Sequence, residues 1–105
     1  MIMAEKHFFE IIKEEVPNVN KAFFDLAGTL QKDAGLDEKT FQLVYIAIKA
    51  SVGEIGAVSA HAGMAKKAGA TREEVRGAVL ITLMTHGVSG VSSCLAAALD
   101  SYDKA

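Results

Sequence analysis

Residues 41–75 read FQLVYIAIKASVGEIGAVSAHAGMAKKAGATREEV, and this stretch decides the fold. Nothing in it alternates apolar and polar residues at period two, as a half-buried strand would. Its apolar residues recur at spacings of three and four instead, which is the signature of a helix face. Asp37 opens one helix, which runs through FQLVYIAIKAS towards Gly53. A second covers roughly residues 54–68, and Gly69 is placed to take the left-handed conformation that ends a helix. Thr71 followed three residues later by Glu74 is a capping box, which satisfies two free backbone donors at the start of a third.

Working outward, the helix that starts at Thr71 runs to about Thr85 and stops at Gly87. Ser89 or Gly90 begins another, carrying Val91, Cys94, Leu95, Ala98, Leu99 and Tyr102. Towards the N-terminus, Phe8, Phe9, Ile11, Ile12 and Val16 form an apolar face interleaved with Lys6, Glu10, Lys13 and Glu14, and Pro17 ends that segment. Asn18 can cap the next helix, with Val19, Ala22, Phe23, Leu26, Ala27 and Leu30, which stops at Gly35. The expectation is an all-α fold: one domain over residues 1–105, a bundle of about six helices.

The chain has 105 residues, one domain's worth, and half of them are apolar. A formal charge of −2 argues against nucleic acid, which requires a concentrated basic face. Cys94 is the single cysteine, so no internal disulfide is expected and a reducing, cytoplasmic setting is favoured. Glu5, Glu10, Glu14 and Glu15 make the N-terminal segment unlike a signal or transit peptide. Residues 77–99 carry no formal charge, which raises the question of a membrane span. Their serines, threonines, His86 and GVSG break read better as two buried helices joined by a turn, so no membrane partner is expected.

Charge is unevenly spread: residues 1–40 hold 13 of the 24 charged side chains, whereas residues 41–63 hold only Lys49 and Glu54. Apolar residues lie on nearly every face of the later helices, as in helices surrounded by protein. Phe8-Phe9 and Phe23-Phe24 point about 100° apart and add to the surface in need of cover. A chain this small cannot supply that cover, so a symmetric homo-oligomer is expected.

Two polar stripes interrupt the apolar helices. Glu54, Ala57, Val58, His61, Ala65 and Ala68 share one face; Gln42, Tyr45 and Lys49 share a face of the preceding helix. Glu54 and His61 are seven residues apart, about 10 Å along the axis, and cannot touch. Across a helical hairpin the stripes would gather an imidazole, an ammonium, a phenol and an amide in apolar surroundings. Such a setting shifts pKa values and suits proton transfer. His86, before Gly87, belongs by default at a helix C-terminus against free carbonyls, yet the short turn between the fourth and fifth helices would let it reach His61. The plainer alternatives are that Tyr45 is core, Lys49 reaches solvent or a subunit interface, Glu54 meets the helix dipole, and His7 is solvated. Cys94 by default is a buried small hydrophobe. No histidine and cysteine spacing suggests a metal, and no glycine loop follows a strand, so no cofactor is expected.

The runs LDEKTFQLVYIAIKAS and SAHAGMAKKAGATREEV, followed by a glycine-rich turn and a small-residue helix, resemble the carboxymuconolactone decarboxylase family, which includes alkylhydroperoxidase D. The resemblance covers residues 36–102 and is most specific from His61 to Glu74. It implies an alkylhydroperoxidase D-like helical bundle assembling as a trimer or hexamer. The peroxidase branch carries a CxxC, a histidine four residues after the second cysteine, and an upstream glutamate. Here those cysteine positions hold Glu54 and Ala57, and the glutamate position holds Gln42; the histidine alone is kept, as His61. The decarboxylase branch has a further histidine, tyrosine and proline at positions that hold Ile81, Thr85 and Ser89 here, so the chain departs from its pattern there.

Three functions stay open at this point. The first is a non-thiol enzyme doing acid/base chemistry on a small carboxylated or lactone-like molecule. There His61 would be catalytic, Lys49 would hold the anion, Gln42 or Tyr45 would orient the substrate, and Glu54 and His86 would lie nearby. In that reading a decarboxylase-like lyase is favoured over a peroxidase. The second is a non-catalytic oligomer that binds a small molecule. The third is an antioxidant of the alkylhydroperoxidase or peroxiredoxin type despite the missing dithiol, working through Cys94.

Overall fold

The computed structural model describes residues 7–105, so the expectations resting on Glu5 and Lys6 lie outside the described residues. Every regular element among the described residues is helical, as expected. In order they are α1 (Phe8–Glu15), α2 (Pro17–Asp33), α3 (Glu38–Ser51), α4 (Ile55–Lys67), α5 (Arg72–Leu80), α6 (Thr82–His86) and α7 (Ser89–Lys104). They fall into two compact units, Met1–Gly35 and Leu36–Ala105.

The first unit is a hairpin of α1 on α2. His7 caps α1: its ring Nδ1 accepts from the Phe9 N–H, and Glu10 accepts from the His7 N–H in return. That role was missed, because histidine is not among the usual capping residues. Val16 alone joins the two helices, and Pro17, not a helix capped by Asn18, begins α2. The physical reason is that proline's fixed φ suits the first helical position, where its missing N–H would have no partner anyway. Phe9 packs against Phe23 and Phe24, with ring centroids 5.6 and 5.2 Å away. Even so, no residue of α1 or α2 is buried.

The second unit holds the core. Ile46 and Ala50 of α3, Val58, Ala62 and Ala65 of α4, Val75 and Val79 of α5, and Cys94 and Ala98 of α7 are fully buried. Most are small, which lets α4 and α7 approach closely; burying each of the valines and Ile46 contributes about 1.5–3 kcal/mol. The tightest point is Gly90, where a Cβ would overlap the backbone carbonyl of Ala50. Ser101 Oγ donates to the Ser59 carbonyl and Tyr102 Oη to that of Ala70, 2.7 Å away, pinning α7 to α4 and to the start of α5. The capping box of Thr71 and Glu74 is formed as expected.

The expected fifth helix is divided. Thr82 Oγ1 donates to the Val79 carbonyl and Thr85 Oγ1 to that of Thr82, side-chain bonds that compete with the helical ladder. The chain tightens at Ile81, where the Met84 N–H reaches the Ile81 carbonyl instead of that of Leu80, one residue further back. Gly87, at φ +83°, then reverses direction into α7.

Candidate functional site

The site is built on the α3–α4 hairpin. Gly53, at φ +73°, permits the tight link between them: its N–H donates to the Ala50 carbonyl, and the Glu54 N–H donates to that of Lys49. The polar stripe of α3 is thereby folded against that of α4.

Gln42 Oε1 lies 2.7 Å from His61 Nδ1. Gln42 is 3% exposed, so its amide oxygen is held inside the packed unit against His61. Tyr45 stacks on His61, ring centroids 3.7 Å apart and planes 20° from parallel. Lys49 Nζ stands 5.8 Å from the centre of the Tyr45 ring. Gln42, Tyr45, Lys49 and His61 thus converge, the first buried and the other three half-buried.

Electrostatics follows from this arrangement. Burial, and secondarily the positive charge of Lys49, push the His61 pKa below the ordinary histidine value of 6.5. Each disfavours the imidazolium, so the ring is neutral at neutral pH. Among the described residues no carboxylate is within ion-pair distance of Lys49, which leaves its ammonium available to an anion.

Two of the other residues singled out from the sequence do not join. Glu54 is exposed and precedes α4 as its N-terminal cap residue, without a side-chain hydrogen bond. His86 is exposed, with Nδ1 2.9 Å from the hydroxyl of its neighbour Thr85. Cys94 lies fully buried on α7, and burial pushes its thiol pKa up, away from the reactive thiolate. No group of three or more potential metal-binding side chains occurs among the described residues. No helix is long and apolar enough to cross a membrane among those residues.

The family model described as carboxymuconolactone decarboxylase matches residues 17–100. It begins at the first residue of α2 and so reaches further back than the resemblance over residues 36–102. No curated protein and no solved structure matches the chain.

Proposed function

Since the chain belongs to the carboxymuconolactone decarboxylase family, we propose that it is a non-thiol enzyme acting by acid/base chemistry on a small carboxylated or lactone-like molecule. The observation that carries this reading is a half-buried imidazole with lowered pKa beside an ammonium that has no carboxylate partner among the described residues. The ammonium of Lys49 holds the substrate's carboxylate and stabilises negative charge that develops next to it. The neutral imidazole of His61 takes a proton from carbon adjacent to a carbonyl, and the imidazolium so formed returns it. Tyr45 backs the ring and fixes the plane in which the proton is passed. A decarboxylase-like lyase fits this set better than a peroxidase, which needs a thiolate nucleophile that Glu54 and Ala57 cannot provide.

The same reading includes a homo-oligomer, a trimer or hexamer. It is supported by apolar side chains left in water in both units, among them Phe23 and Leu26 of α2, Val44 and Ile48 of α3, and Met84, which is 83% exposed. Soluble monomers rarely leave so many large apolar groups uncovered.

The test is ligand-detected NMR with a panel of small carboxylates and carboxylated lactones. Binding is expected to wild type and to be lost on Lys49→Met and weakened on His61→Ala. Equal binding to wild type and both variants contradicts the reading.

A further inference from the structure

Gln42 does more than fill space beneath His61. An amide oxygen can only accept a hydrogen bond, so a ring nitrogen 2.7 Å from it must carry the proton. We infer that Gln42 is a positioning residue that holds His61 as the Nδ1–H tautomer, leaving Nε2 as the ring's one basic nitrogen. In a histidine the hydrogen bond made by one ring nitrogen decides the state of the other.

Three observations carry this. Gln42 is 3% exposed, and its carbonyl is aimed at the ring by α3, a rigid element. Tyr45 stacks on the ring face and opposes the flip about Cβ–Cγ that would put Cδ2 in place of Nδ1 against the amide. The partner is an amide and not a carboxylate, so it orders the neutral ring without adding negative charge that would favour the imidazolium.

The charged groups around the ring agree. On α3, Lys49 is the cation whose field reaches His61. On α4 itself, Lys66 donates to the Tyr102 and Ala105 carbonyls. On α5 and α7, Arg72 is paired with Asp103, Lys39 with Glu74, and Lys104 with Asp100. Among the described residues Lys49 is the charge that bears on the ring, and no carboxylate is among the influences on it. A carboxylate at position 42 would reverse that balance, turning His61 from a base that rests neutral into an acid that rests charged.

The inference concerns the ring's tautomer and holds whether or not the protein proves to be an enzyme. Nitrogen-15 NMR of histidine-labelled full-length protein reads it directly, because protonated and bare ring nitrogens resonate far apart. Wild type is expected to show a protonated Nδ1 and a bare Nε2 at His61. Gln42→Glu is expected to keep that tautomer and move the His61 titration upward, whereas Gln42→Leu is expected to move the ring to the Nε2–H form. A wild-type ring protonated at Nε2, meaning that the amide is reversed and donates, overturns the inference. So does an unchanged tautomer in Gln42→Leu. If Gln42→Leu fails to fold by circular dichroism, Gln42→Glu decides, and an unmoved His61 titration overturns it.

Discussion

Gln42 on α3 and His61 on α4 meet through a single contact, Oε1 to Nδ1 at 2.7 Å, which joins the two polar stripes of the hairpin. The contact lies under the Tyr45 ring and beside the Lys49 ammonium. It makes the imidazole an ordered group of defined polarity.

Stability should depend on pH through His61. Its folded pKa lies below the ordinary value of 6.5, so at acid pH the unfolded chain binds more protons than the folded one. The contribution is fully present above the ordinary histidine value and is lost as pH falls from there through the folded value. Melting temperatures between about pH 7.5 and 5.5 should therefore fall more for wild type than for His61→Asn, since the other histidines are common to both. Parallel curves for the two proteins would be the contrary result.

Gly90→Ala should destabilise the second unit strongly. The new methyl overlaps the Ala50 carbonyl, which is backbone at the end of α3 and cannot turn aside. Overpacking of this kind typically costs about 1–3 kcal/mol. Gly77→Ala is the control, because a Cβ there meets nothing and helix propensity improves. Chemical denaturation should separate the two variants in opposite directions from wild type.

How far the sequence foretells this arrangement can be judged residue by residue. Spacings of three and four were enough to place Gln42, Tyr45 and Lys49 on one face and His61 on its neighbour, and to suggest that a hairpin brings the two faces together. The contact partner of Gln42 was not legible, because the register of two packed helices depends on every side chain between them. The break at Ile81 was hidden for a different reason: Thr82 and Thr85 are ordinary in a helix until their hydroxyls take backbone carbonyls. Pro17 was read as a stop and is also a start, since one residue, Val16, serves as the cap of both α1 and α2. Burial was the least legible property: apolar residues on nearly every face of the later helices do not say which, such as Ile48 and Met84, lie open in the single chain.

Cys94 should be chemically inert in the folded protein. It is fully buried with a raised thiol pKa, so iodoacetamide should modify it only after denaturant is added. Cys94→Ser should leave peroxide consumption unchanged from wild type. Rapid alkylation of native protein, or a loss of peroxide consumption in the variant, would restore the antioxidant reading.

Assembly should be sensitive to the exposed ridge of α3. Ile48 is 61% exposed in the single chain, so Ile48→Glu removes nothing from that chain's own core. Sedimentation velocity should find wild type well above the 11.1 kDa of one chain and Ile48→Glu shifted to smaller species at equal concentration. Wild type sedimenting as a monomer would contradict the proposed homo-oligomer.

The proposal that His61 is a base serving a substrate anchored by Lys49 is tested most directly by solvent exchange. A panel of small carboxylated lactones is incubated with the protein in deuterium oxide, and proton NMR follows loss of the signal from carbon next to the carbonyl. Wild type should accelerate exchange on at least one member, with a rate that rises with pH through a midpoint below the ordinary histidine value and then levels off. His61→Ala should abolish the acceleration at every pH, and Lys49→Met should reduce it by weakening binding. Exchange no faster with wild type than without protein, or equally fast with His61→Ala, would contradict the account.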